Sequence, residues 1–225
     1  MALPDAAGFR RETSPDAVAR YVRALIVSGH LRPGERVPRD EIAARLGVSP
    51  VPVREAIIAL EREGWLRIEP HRGAFVHGVD EAWVTDHYAL MGGVYALLAA
   101  DACRRATDAE LAGLAPLGRQ LANERDVRAF TDLNDRAMRI LIAAARSPRL
   151  EAAARAVPNV VPGDFFTEVP GTLEPQRRAM TRTLRAVAAR DDVTAGAVMR
   201  DLAATQAAAV VALLRARSVL QPSPT

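Results

Sequence analysis

The chain has no lysine: all thirty of its basic side chains are arginine, against twenty-seven acids, for a net charge of +3 over 225 residues. Without a block of basic residues, it carries no tail of the kind that coats nucleic acid by charge alone. Cysteine occurs once, at Cys103, which excludes an intramolecular disulfide and a zinc ribbon. Aromatics are only 4% of the residues, and histidine is confined to His30, His71, His77 and His87, all in the first two-fifths of the chain. Long apolar runs are missing too. The longest stretch free of Asp, Glu, Lys and Arg is the fourteen residues from His87 to Ala100, short of the roughly 20 that cross a bilayer. Asp5 interrupts the start at once, so no secretory leader and no membrane partner are expected, and the expected location is cytoplasmic.

What is abundant is alanine, with forty-four residues. Alanine has the highest helix propensity, so the composition points to a largely helical protein. A GC-rich coding bias accounts for both alanine and arginine without any special chemistry. The length allows one or two domains with a sizeable core. Proline and glycine punctuate the first third regularly, and from about Asp80 the pattern changes to long alanine-rich segments of helical spacing. Split after residue 78, the first part carries twelve arginines and ten acids, the second eighteen and seventeen. Neither is basic enough to announce DNA by charge. Two domains are expected, 10–78 and 79–218.

In the first part, Ser14 before Pro15 reads as a helix N-cap with proline at the first position. Val18, Val22, Leu25 and Ile26 then form an apolar stripe. The helix should stop near Ser28-Gly29, and a turn follows at Arg32-Pro33-Gly34. Arg39 to Leu46 reads as a short helix, with Ile42, Ala43 and Leu46 inward and Gly47 as its C-cap. Ser49-Pro50 opens a third helix with Val53, Ala56, Ile57 and Leu60 on its buried face, and Gly64 ends it. Two short runs, Trp65 to Glu69 and Ala74 to His77, flank Pro70-His71-Arg72-Gly73 as a hairpin. Helix, short helix, tight turn, helix and hairpin is the order of a winged helix-turn-helix, whose helix after the turn enters the major groove of DNA. The same spacing also fits a three-helix knot with a hairpin that binds nothing.

Several anchors here resemble the GntR family of bacterial transcription regulators: Leu31-Arg-Pro-Gly-Glu-Arg-Val37, Glu41-Ile-Ala-Ala-Arg-Leu-Gly-Val-Ser49, Pro52-Val-Arg-Glu-Ala56, Leu60, Glu63-Gly-Trp-Leu66 and Arg72-Gly-Ala-Phe-Val76. The remainder is similar to the all-helical effector domain of the FadR subfamily, often abbreviated FCD, through Ala106-Thr-Asp-Ala-Glu110, Asp126 to Leu141 and Ser147-Pro-Arg-Leu150. The resemblance implies a homodimer that reads a palindromic operator in double-stranded DNA, with a small molecule in each C-terminal domain altering affinity. It is no enzyme on this reading; it acts as a repressor released by its effector. Carried over residue by residue, Ser49 binds a phosphate or base edge, and Arg54 is the foremost DNA contact. Arg39 touches the backbone before the second helix, and His71, Arg72 and Gly73 form the wing tip near the minor groove. The family usually has Arg-Thr-Pro after the serine, whereas this chain has Pro50-Val51-Pro52. It loses a base-touching arginine and gains Val51, suited to a thymine methyl. The plain alternative for Arg54 is a surface ion pair with Glu55 or Glu61.

Six helices are expected in the second part: Glu81 to Arg104, one opened by a Thr107–Glu110 capping box, Asp126 to Ala145, one from the Ser147-Pro148 cap, Gln176 to Arg190 and Val193 to Arg217. Between the fourth and fifth lies an interruption, 157–175, with prolines at 158, 162, 170 and 175 and the pair Phe165-Phe166, which would gate a cavity or cover the bundle. The resemblance implies a divalent metal held by Asp or Asn and three histidines. Here Asn134 is present, but Met138, Met180 and Leu202 stand at the histidine positions, and no histidine follows His87. The subfamily's arginine and glutamate on the first helix match Met91 and Tyr95. The expected pocket is therefore metal-free and without cofactor, lined by Met91, Tyr95, Asn134, Met138, Met180 and Leu202, and suited to an apolar or aromatic effector. The bland alternatives are a filled core in a ligand-independent regulator, and a helical enzyme with an accessory domain. For the latter only Cys103, beside Arg104 and Arg105, offers a nucleophile.

Overall fold

The computed structural model describes residues 15–221. Within them the chain is mainly helical, with one two-stranded hairpin, and it divides into two compact units. One unit holds the chain up to Trp83, Val160–Gly163 and the end of the chain from Val211; the other holds Val84–Asn159 and Asp164–Val210.

The first unit starts with α1 (Pro15–Val27), whose expected cap Ser14 lies outside the described residues. Its stripe of Val18, Val22, Leu25 and Ile26 is buried, and so are Ala17, Ala19 and Tyr21, so the helix is covered on most of its circumference. Gly29, at φ 78°, ends it. Helix α2 (Arg39–Leu46) buries Ile42 and Leu46 and closes on Gly47, in the left-handed region at φ 68°. That residue turns the chain into α3 (Pro50–Arg62), which buries Val53, Ala56, Ile57 and Leu60. Ser49 sits at the N-cap in an extended conformation, but its hydroxyl makes no capping hydrogen bond. Strands β1 (Leu66–Glu69) and β2 (Gly73–Val76) pair antiparallel, Leu66 opposite Val76 and Glu69 opposite Gly73. A third segment, which no alternation in the sequence announces, joins β2 on its other edge. Gly34 N–H donates to Val76 O, Val76 N–H to Glu35 O and Val37 N–H to Ala74 O, each at 2.9 Å. Trp65, fully buried, meets Trp83 edge-on at 4.8 Å. Leu220 forms a parallel bridge with Val79, and Gln221 N–H donates to Val79 O at 2.9 Å.

The helices of the bundle are α4 (Glu81–Arg105), α5 (Asp108–Asn123), α6 (Val127–Ala145), α7 (Pro148–Ala156), α8 (Phe165–Glu168), α9 (Leu173–Ala188) and α10 (Asp192–Ala216). Seven segments stand where six are expected, because the proline-bearing interruption contains the single-turn α8. Phe166, within it, packs edge-on against buried Phe130 at 5.4 Å, so α8 covers the core. Helix α9 begins three residues before Gln176. Pro175 is then inside its first turn, where the missing N–H would have had no partner in any case. Leu114, Leu117 and Leu121 of α5 share one core with Phe130, Ala137, Leu141, Met180, Leu184 and Val187. Helices α4 and α10 approach closely, since a Cβ at Gly92 would lie 2.6 Å from the Ala203 Cβ. By length and composition α10 would pass for a membrane span, yet half of its most apolar stretch is buried inside the protein, as in the core helix of a bundle.

Candidate nucleic-acid interface and effector pocket

The first half of α3 presents Ser49, Val51, Arg54 and Glu55 to solvent, on the side away from Val53, Ala56 and Leu60. Val51 is 63% exposed, an unusual position for a valine on a structured helix. Arg54 is exposed and forms no ion pair among the described residues. Of the two proposed partners, Glu61 instead accepts the Ile68 N–H at 2.9 Å, tying α3 to the hairpin. Pro50 and Pro52 have no backbone N–H, so of the first three residues of α3 only Val51 offers a free amide to an approaching phosphate. Arg39 is the first residue of α2 and is also exposed.

The wing turn places His71 at φ 61° and Gly73 at φ 113°. A Cβ on Gly73 would come within 2.9 Å of Arg36 Nε, because that guanidinium lies across the turn. Arg72 is exposed but engaged: it pairs with Glu69 at 2.5 Å and stacks over Phe75 at 5.6 Å. Arg67 pairs with the same carboxylate at 2.7 Å. Arg36 is the basic side chain that residue-by-residue reasoning passed over. Its signal lies in the segment Leu31 to Val37, of which only Arg32-Pro33-Gly34 reads as a turn and whose Arg36 forms a bridge with Phe75 of the wing.

Near the bundle centre, Asn134 is buried and its Oδ1 accepts from Gln176 Nε2 at 2.8 Å; Gln176 Oε1 in turn accepts from Gln206 Nε2 at 2.8 Å. The result is a ladder of three buried amides crossing α6, α9 and α10. Met180 is fully buried in the main core, with Tyr95 and Met138 packed against it. Leu202 belongs to a small cluster with Ala179 and Val198, and Met91 is buried outside both groups. Tyr95 also lines a cavity of about 360 Å³ with Arg139, Ile142, Ala143, Ala154 and Arg155. Burial raises the pKa of its phenol, with Asp135 adding to the shift. Asp135 is itself raised by burial, against the opposing pull of Arg139 and a hydrogen bond from Asn134. Cys103 is buried, and burial, reinforced by Asp192 and Asp191, pushes its thiol up to about 11. A thiol in that state is no nucleophile.

The profile of bacterial regulatory proteins of the gntR family matches residues 15–76, and the FCD domain matches residues 86–205. The chain belongs to the GntR family. An uncharacterised HTH-type transcriptional regulator of Mycobacterium tuberculosis is 36% identical over 151 residues, 67% of this chain and 62% of that one. The chain thus spans less than two thirds of that relative's length. The Nta operon transcriptional regulator of Aminobacter aminovorans is 40% identical over 90 residues, 40% of this chain and 43% of its own. Among solved structures, Escherichia coli McbR/YncC superposes with a TM-score of 0.56 at 20% identity, covering 91% of this chain and 98% of that one. The Listeria monocytogenes protein Lar gives a TM-score of 0.56 at 18% identity, covering 88% and 97%. Both show the fold. This GntR-family chain therefore has a winged helix-turn-helix followed by an FCD domain, and the curated relatives named above are called transcriptional regulators.

The residues matched above to the subfamily's metal ligands do not fit a divalent ion. The Asn134 oxygen is committed to Gln176, and Met138, Met180 and Leu202 put two thioethers and an isobutyl group where imidazoles would stand, whereas hard divalent ions prefer oxygen and nitrogen. Among the described residues no group of three or more His, Cys, Asp and Glu could hold a metal. Gln176 and Gln206 are the functional candidates that pattern reading missed. They lie one helical turn from Met180 and Leu202 respectively.

Proposed function

We propose that this regulator is a cytoplasmic homodimer that represses transcription by reading a palindromic operator. Residues 10–78 bind the DNA, and residues 79–218 form the domain for effector binding and dimerisation. Each copy sets the start of α3 in the major groove. Ser49 meets a phosphate or base edge, Val51 a thymine methyl and Arg54 a guanine or phosphate, while Arg39 holds the backbone. His71, Arg72 and Gly73 reach the neighbouring minor groove. The observation that carries this reading is Arg54, without an ion pair among the described residues, beside an exposed Val51 on the outer face of the helix after the turn. A bidentate arginine on guanine contributes about 1–3 kcal/mol of discrimination, and a phosphate contact adds affinity without sequence choice.

The effector on this reading is small, uncharged and apolar or aromatic. It sits without metal or cofactor among Met91, Tyr95, Asn134, Met138, Met180 and Leu202, with the amide ladder as the polar wall. The test is binding of the purified protein to DNA upstream of its own gene at low salt, with stoichiometry by sedimentation. Two chains per site are expected; one chain per site would rule out the dimeric operator reading. Tyr95→Phe and Met138→Ala should then alter ligand release of DNA while leaving ligand-free DNA affinity unchanged.

A second reading has its own observation. Met180 is fully buried and the Asn134 oxygen is already paired with Gln176, which favours a filled core and regulation by assembly alone. DNA affinity that no uncharged aromatic or aliphatic compound alters, across a broad panel, would favour that reading over the effector one.

A further inference from the structure

A second surface of the bundle has the features of a ligand site. Helices α5 and α9 pack along Leu114, Gly118 and Leu184 and leave a groove of about 270 Å³ between them. Its floor is apolar, made by Leu114, Ala115, Gly118, Ala122, Leu184 and Ala188. The remaining lining residues are Thr181, Arg119 and Arg185, and no acidic side chain takes part. Both arginines are exposed, and neither guanidinium forms an ion pair among the described residues. Two other arginines of α9, Arg177 and Arg178, both pair with Glu174.

Thr181 supplies an independent observation. A threonine inside a helix ordinarily returns its hydroxyl to the carbonyl four residues back. Thr131 and Thr205 do so in this chain, to Val127 O and Asp201 O, each at 2.9 Å. The Thr181 hydroxyl is buried and has no hydrogen-bond partner. A buried hydroxyl left unsatisfied is destabilising, and Thr181 is one of the residues that line the groove, with two unneutralised guanidinium groups at its margin.

We propose that the α5–α9 groove binds a small carboxylate with an apolar body. The carboxylate takes charge-assisted hydrogen bonds from Arg119 and Arg185 and one from the Thr181 hydroxyl. The apolar body lies along the Ala115, Ala122 and Ala188 methyl groups that line the groove. A pocket just under the usual size range for ligand sites restricts the occupant to a small aromatic or short aliphatic acid. This site is distinct from the effector pocket and from the DNA-binding face, and it neither rests on nor supports the reading of either.

The test uses the full chain at low ionic strength, with benzoate, cyclohexanecarboxylate and hexanoate as probes and their amides as uncharged controls, read by calorimetry or saturation-transfer NMR. At least one acid should bind saturably, and its amide should bind roughly tenfold more weakly. Replacing Arg119 and Arg185 together by glutamine should weaken the acid by about tenfold or more. Thr181→Val is isosteric and removes an orphaned hydroxyl, so it should leave stability equal or higher while weakening the acid about tenfold. A hydroxyl with a merely structural role would leave the affinity unchanged. The proposal is overturned if no acid binds saturably, if amide and acid bind alike, or if the double arginine variant keeps full affinity. It is equally overturned if Tyr95→Phe or Met138→Ala abolishes acid binding while the groove variants do not, which would put the acid in the central pocket.

Discussion

Gly73 holds a backbone conformation with φ 113° that a side chain rarely adopts, and the Arg36 guanidinium fills the space a Cβ would need. Gly73→Ala should therefore lower stability by roughly 1 kcal/mol or more, measured by chemical denaturation. Nearby, Glu69 holds both Arg67 and Arg72. In Glu69→Gln those cations are freed and a negative charge leaves the wing, so DNA affinity should rise about threefold at low salt, with a steeper salt dependence. An unchanged affinity would remove the wing from the interface. Cys103 shows the same economy of chemistry by its inertness. With its thiol buried and pushed up to about 11, it should resist alkylation at pH 8 until the protein unfolds, as a thiol-modification time course would record.

The elements of the first unit were legible because each one carries its own punctuation. Gly47 in the left-handed conformation, Pro50 at a helix start and Gly64 at a helix end mark boundaries by backbone chemistry alone. The bridge of Arg36 to Phe75 is not legible in the sequence, because β2 is about forty residues away and the residues around Arg36 do not alternate. The start of α9 was misplaced for a different reason: Pro175 reads as a breaker unless it is known to lie in a first turn. Buried glutamines escape a hydrophobic pattern altogether, so the candidate pocket was half legible, its apolar positions readable and its amide ladder not.

The ladder is also the most sensitive element of the bundle. Gln176→Leu would strand the Asn134 oxygen and the Gln206 amide at once and should destabilise by about 2–4 kcal/mol, whereas replacing all three amides by leucine should cost much less. Urea unfolding of the single and triple variants separates the two outcomes. At the start of α5, Glu110 has its pKa lowered, first by the Thr107 backbone N–H, then by Arg146 and by the Thr107 hydroxyl. A carboxylate depressed in this way stabilises the fold above the ordinary glutamate pKa, and that stability is lost as pH falls through the lowered value. The melting temperatures of wild type and Glu110→Gln should differ at neutral pH and converge in acid.

At the scale of the whole molecule, charge says little. A net charge of +3 with no lysine does not describe a nucleic-acid protein. The proposed DNA binding rests on the helix-turn-helix order and a few placed arginines, and in the bundle the buried Asn134 is bonded to Gln176 and through it to Gln206. The central claim is that α3 and the wing bind DNA through a small number of specific contacts. Its most direct measurement is the affinity of wild type and Arg54→Ala for DNA upstream of the regulator's own gene across a range of salt concentrations. The account predicts saturable wild-type binding that falls with a log–log slope of about −0.9 per phosphate contact, and markedly weaker binding by a variant that is still folded. Absence of saturable binding at low salt, or equal affinity of the two proteins, would contradict it.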